Sequence, residues 1–106
     1  LTDRGADVIS LSAAWVSGKG KEMHWEVLTQ ARAIENVSWL LASGTVGEDS
    51  AGLSRVIDPL GNVVASANAH SEELLIATID PERTRAAREM LPALDNRRIE
   101  LSYRVA

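Results

Sequence analysis

The segment from Glu22 to Glu35 constrains this chain more than any other. Val27, Leu28, Ala31 and Ile34 recur at three and four residues, and Met23 and Trp25 extend the apolar surface. That period predicts an amphipathic helix, which must lay its apolar stripe on something. Short apolar runs flank it. Val8 to Leu11 reads as a buried strand, with Ser12 to Trp15 continuing or leaving it. Val37 to Ser43, VSWLLAS, is β-branched and aromatic enough for a second buried strand. Between the first strand and the helix, Ser17 to Gly20 combines two glycines with polar neighbours and reads as a loop.

Further on, Thr45 to Ala51 reads as a polar loop and Gly52 to Ile57 as a strand. Asp58-Pro59-Leu60-Gly61 predicts a type I turn, because Asp bonds back to the chain, Pro pre-sets φ and Gly closes the turn. Asn62 to Ala67 returns as the hairpin partner, and Leu74 to Ile79 is another apolar strand. Asp80 and Pro81 predict the N-cap and first position of a second helix. That helix ends near Met90, since Pro92 restricts Leu91. Residues 93–106 form a polar, basic tail with few apolar anchors, of the kind that orders by docking on a partner. The expected fold is a layered α/β domain over residues 1–106: a mixed sheet with helices on one face, the other face and one edge open.

Leu1 to Arg4 read as a last helical turn, with Gly5 in the left-handed position that ends a helix. This predicts a helix before Leu1; a chain trimmed at its start, with LTDRG as a frayed terminus, is the alternative.

Composition narrows the chemistry. The net charge is -4, and the late arginines alternate with acids, so a solvated, salt-bridged face is expected rather than a nucleic-acid surface. Cysteine is absent, which excludes a disulfide, a thiolate metal site or a cysteine nucleophile within these residues. No apolar run reaches the ~18 residues of a membrane span, and no targeting or lipidation motif is present, so the cytoplasm is the default compartment. His24 and His70 have no metal-ligand spacing, and no metal or cofactor is expected. Gly52-Leu53-Ser54-Arg55-Val56 comes nearest to a serine nucleophile elbow and fails at its last position. Gly18-Lys19-Gly20-Lys21 lacks the spacing of a phosphate loop. Trp15, where a buried strand gives way to a glycine-rich loop, suits either a pocket wall or core packing. Arg32, Glu35 and Asn36, at the end of the helix, read chiefly as a bracing network.

Five stretches in order, RGADVISLSAAW, HWEVLTQARAIEN, GLSRVIDPLGNVVA, EELLIATIDPERTRAAR and LPALDNRRIEL, resemble the nitrilase superfamily of carbon–nitrogen hydrolases. The resemblance runs the length of the chain and implies the carboxy-terminal part of an αββα sandwich, in a family whose members commonly dimerise. It implies hydrolysis of a small amide or nitrile by a Cys nucleophile, a Glu base and a Lys that stabilises the oxyanion, all three lying upstream of Leu1. No catalytic residue carries over. Ala14 and Trp15 match the strand end that lines the family's pocket, and His24 the start of the following helix. Arg32, Glu35 and Asn36 match that helix's polar end, Asp58, Pro59 and Gly61 the hairpin turn, and Arg97 and Arg98 the tail. Ser12 departs from the family, which often has Pro there.

HWEVL and RAIEN resemble the amidase branches that act on small carboxylate-bearing amides, including ω-amides. The implied partners are the amino-terminal part of the same domain, the substrate and a second copy of the protein. The rival reading is a non-catalytic half-nitrilase that serves as a scaffold or interaction module. An independent α/β domain of other function is a third reading, at odds with all five stretches.

Overall fold

The computed structural model describes residues 1–105. A single 3₁₀ turn, Thr2–Arg4, ends at Gly5 (φ 90°), whose N–H bonds the Thr2 carbonyl. The chain then enters β1 (Val8–Ala13), α1 (Lys21–Asn36) and β2 (Trp39–Gly44). β1 and β2 are parallel neighbours, in register from Val8 opposite Trp39 to Ala13 opposite Gly44. α1 is the crossover that parallel pairing requires. A short hairpin follows, β3 (Val46–Gly47) and β4 (Ser50–Ala51), in the segment expected to be a loop. Its pairing is too short for a periodic signal, so composition alone suggested coil. β5 (Arg55–Ile57) and β6 (Val63–Ser66) complete the sheet, both pairings antiparallel. Sheet order is β1-β2-β5-β6, and α2 (Pro81–Met90) closes the chain's regular structure.

The core lies between α1 and one face of this sheet. It is made by Trp25, Ala33, Leu40, Ala42 and Ile57, with Ile9, Ala13, Trp15 and Leu53 packed against it. Large apolar side chains buried this way contribute about 1.5–3 kcal/mol each. The helix is turned differently from the sequence expectation. Trp25, Thr29 and Ala33 face inward, whereas Val27, Leu28 and Ile34 are 55%, 46% and 40% exposed. This stripe of one large and two small side chains, spaced four residues apart, lets the helix approach the sheet closely. Thr29 lies in it without cost because its hydroxyl donates to the Trp25 carbonyl at 2.7 Å.

α1 ends on Val37, which takes φ 43° in the left-handed region while fully buried. This conformation is strained for a β-branched residue. It is held by Val37 N–H donating to Ile34 and Ser38 N–H to Ala33, which turns the chain into β2. α2 starts as expected, with the Asp80 carboxylate accepting from Glu82 N–H and Pro81 in the first turn. It is fixed by Arg88, which donates to the Val37 carbonyl (3.1 Å), Asp7 (2.7 Å) and the Ser38 hydroxyl (3.3 Å).

Leu74 to Ile79 differs from expectation: it is outside any strand. Its burial still alternates with period two, Leu75, Ala77 and Ile79 being half-buried and Leu74, Ile76 and Thr78 exposed. The sequence pattern of a strand is present, and among the described residues it has no neighbouring strand to pair with.

The tail meets the chain's first residues. Arg97 is ion-paired with Asp3, Tyr103 donates to Asp3 at 2.8 Å, and the Arg4 guanidinium lies 5.3 Å from the Tyr103 ring centre. Ala106, the last residue of the expected tail, lies outside the described residues. No helix among the described residues is long and apolar enough to cross a membrane.

Candidate functional site

Ala14, Trp15 and His24 lie around the loop that joins β1 to α1. The β3–β4 hairpin clasps this loop through backbone bonds: Thr45 N–H to Ala13, Ala51 N–H to Trp15 and Ser17 N–H to Asp49, with a further bridge between Val16 and Ser50. Trp15 is half-buried, and its indole N–H donates to the Lys21 carbonyl at 2.8 Å. Its ring lies 5.7 Å from that of Trp25, inclined by 42°. The Trp25 N–H donates in turn to the Leu53 carbonyl at 2.9 Å. Both indoles are therefore fixed in orientation, with apolar faces together and polar tips satisfied. Ala14 and His24 are exposed beside them, and the His24 N–H bonds the Gly20 carbonyl. The three residues thus sit on an open rim, not in a closed cavity.

The serine and glycine motifs have local employment. Ser54 Oγ accepts from Gly44 N–H at 2.9 Å, tying β2 to the approach of β5. The Gly18 N–H donates to the Glu22 carboxylate at 3.3 Å, so a side-chain anion already occupies that loop amide. Among the described residues no three His, Asp or Glu side chains converge as metal ligands. A cleft of about 440 Å³ lies elsewhere, between Leu41, Ala42 and Val56 on the sheet and Leu75, Ala77 and Ile79 on the unladdered segment. Ser43, Ser54, Arg55 and Glu73 also line it, and none of the three rim residues does.

A family model for carbon–nitrogen hydrolases matches residues 1–89. The chain belongs to the carbon–nitrogen hydrolase family. It is similar to the deaminated glutathione amidase of Escherichia coli O157:H7, 43% identical over 95 residues that cover 90% of this chain and 36% of that protein. The protein YbeM of Escherichia coli K12 is equally similar, 43% identical over 95 residues covering 50% of its length. A carbon–nitrogen hydrolase crystal structure from Helicobacter pylori superposes with a TM-score of 0.81 at 29% identity, over 92% of this chain and 40% of that one. The chain thus spans half or less of the length of these relatives. Its mixed sheet flanked by helices is the carboxy-terminal portion of the nitrilase-type αββα sandwich.

In this carbon–nitrogen hydrolase chain the other singled-out residues divide by burial. Arg32 and Glu35 are exposed and pair with each other at 3.0 Å. Asn36 donates to the Arg32 carbonyl and accepts from the Thr2 hydroxyl, linking the helix end to the chain's start. Asp58 is buried, and its Oδ1 accepts from the N–H groups of Leu60 (3.0 Å) and Asn62 (2.9 Å). Gly61 takes φ 87° and donates its N–H to the Asp58 carbonyl, closing the turn that the sequence predicted. A Cβ on Gly61 would come within 2.6 Å of Ile34 side-chain carbons.

Sequence reasoning missed three arginines with inter-element roles, Arg55, Arg88 and Arg83. Arg55, 8% exposed, reaches from β5 to Glu26 at 3.6 Å and to the Glu26 carbonyl at 3.3 Å. Arg88 is the α2 clamp described above. The late arginines do not form one solvated face: Arg85 pairs within its helix with Glu82 and Glu89, whereas Arg83 reaches Asp58 and the Trp39 ring. An acid three or four residues from an arginine signals the first kind, but nothing local signals the second.

Proposed function

We propose that these residues form part of an amidohydrolase acting on a small carboxylate-bearing amide. The family match over residues 1–89 carries this reading. In it, a Cys thiolate attacks the amide carbon, a Lys stabilises the oxyanion, a Glu moves the proton to departing ammonia, and water then cleaves the thioester. All three residues are supplied by the portion of the domain outside these 106 residues, which contain no cysteine. Ala14, Trp15 and His24 supply part of the pocket wall, with Trp15 held by its Lys21 bond as the apolar surface. Arg32, Glu35, Asn36, Asp58 and Gly61 brace that frame. Relatives named deaminated glutathione amidase favour a substrate bearing an amide and a carboxylate. The protein works in the cytoplasm as a homodimer or higher oligomer.

The test is ammonia release by the full-length polypeptide containing these residues, with ω-amides of dicarboxylates and with deaminated glutathione. Turnover abolished by thiol alkylation is expected, and no turnover from residues 1–106 alone. A full-length protein that folds and hydrolyses no amide or nitrile would show that a non-catalytic scaffold is the correct reading.

A further inference from the structure

Between Trp15 and His24 of the rim the chain runs through Gly18-Lys19-Gly20-Lys21, which carries both lysines of the 106 residues. The arginines are spent on structure. Six of the nine make ion pairs, and Arg4 lies over the Tyr103 ring. Lys19 and Lys21 are exposed, and among the described residues neither is ion-paired. The neighbouring Glu22 carboxylate instead accepts from the Gly18 N–H at 3.3 Å. Asp49, on the turn between β3 and β4, meets the loop through its carbonyl, which accepts from Ser17 N–H. The two ammonium groups are thus free, whereas their backbone is fixed. The Lys21 carbonyl accepts the Trp15 indole N–H at 2.8 Å, and the Lys21 N–H donates to the Gly18 carbonyl at 2.9 Å. In a chain of net charge -4, two unpaired cations are therefore anchored to the aromatic side chain of the rim.

We propose that Lys19 and Lys21 determine specificity by holding the carboxylate of the amide substrate, a proposal that rests on the reading above. The indole of Trp15 offers apolar surface to an aliphatic chain, and the lysines offer a counter-charge at the end of that chain. The ligand that fits both is an amide whose far end is a carboxylate. Lysine suits the task because its ammonium is a point charge on a flexible stem, whereas a guanidinium fork demands one fixed geometry. Two such stems follow a carboxylate borne on chains of different length, so the class selected is defined by its charge more than by its exact span. The same pair concentrates anionic substrates at the rim through the local positive field. A neutral amide of equal length forgoes both effects.

The experiment compares ammonia release by the full-length polypeptide from a dicarboxylate monoamide and from its uncharged methyl ester. The readout is the ratio of the two kcat/KM values, acid over ester. Lys19→Gln/Lys21→Gln removes both charges and leaves the bond to Trp15 in place, because that bond is to a main-chain carbonyl. The ratio is expected to fall about tenfold, as for two exposed charge contacts together, through KM. Lys19→Glu/Lys21→Glu should lower it further, and added salt should lower it in the parent. Lys19→Gln alone gives a smaller fall in the same direction and keeps the test open if a double variant fails to fold. A parent that prefers the ester, or a ratio unchanged in the Gln variants, would overturn the proposal. Calorimetric binding of glutarate to the full-length protein separates this proposal from the reading it rests on. Binding weakened about tenfold in the double Gln variant, in a protein that hydrolyses no amide, would refute the functional reading alone. Amide turnover with the same ratio in parent and variant would refute this one alone.

Discussion

Trp15 and Trp25 stand 5.7 Å apart across the start of α1, each indole N–H committed to a backbone carbonyl on a different segment. Trp25 is 2% exposed and sits at the centre of the core, so Trp25→Ala is expected to cost about 3–5 kcal/mol. Trp15→Ala should cost less, because Trp15 is only partly buried. In a double-mutant cycle the pair is expected to couple by about 0.5–1.5 kcal/mol. Urea unfolding of the full-length variants measures all three values; additive single effects would refute the coupling.

Glycine is required at two positions for different reasons. At Gly44 a Cβ would overlap the Gly52 carbonyl oxygen, a backbone atom that cannot turn aside. At Gly61 the obstacle is the Ile34 side chain, in addition to the left-handed φ of 87°. Gly44→Ala should therefore be the more damaging, beyond the ~1–3 kcal/mol expected for ordinary overpacking at Gly61→Ala. Shortening the obstacle separates the two terms at Gly61. In an Ile34→Ala background, Gly61→Ala should cost only about 1 kcal/mol of backbone strain. Equal costs in both backgrounds would show that Ile34 is not the obstacle.

Arg88 joins α2 to the ends of β1 and β2 through three bonds from one guanidinium. Arg88→Lys retains charge but has no planar fork to reach Val37, Asp7 and Ser38 together. Both Arg88→Lys and Arg88→Ala are expected to speed amide exchange across Pro81–Met90 about tenfold or more, with little change in α1. An α2 as protected in Arg88→Ala as in the parent would mean that the buried Thr84 and Ala87 hold the helix without the clamp.

The legible parts of the fold were those with local signals. The Asp58–Gly61 turn and the Asp80–Pro81 helix start depend on residues within a few positions of each other, and both form as read. The period of α1 was legible too, but its orientation was not. The segment carries two apolar stripes, and the sheet selects the one bearing Trp25, Thr29 and Ala33 because small side chains permit close approach. Leu74–Ile79 shows a further limit: alternation specifies a strand's side chains, whereas a ladder also needs a neighbour. At the site, Trp15 was visible as an aromatic group at a strand end. Its partners Trp25 and Lys21 depended on how the loop folds back, and the clamps from Arg55 and Arg88 span 29 and 51 residues of sequence.

The pocket-wall reading of Trp15 and His24 has a kinetic consequence in the full-length enzyme. A wall residue binds the substrate and its transition state alike, so its loss raises KM and leaves kcat nearly unchanged. Trp15→Ala, a partial loss of apolar contact, is expected to raise KM for a small amide by roughly tenfold. Trp15→Phe should recover most of this, since the ring remains although the Lys21 bond is lost. His24 is exposed and lies at the rim's edge, so His24→Ala should raise KM by no more than about threefold, well under one tenfold step of 1.4 kcal/mol. A fall in kcat with KM unchanged in Trp15→Ala, in a variant that unfolds at the parent's urea midpoint, would place Trp15 against the reacting atoms and remove it from the wall.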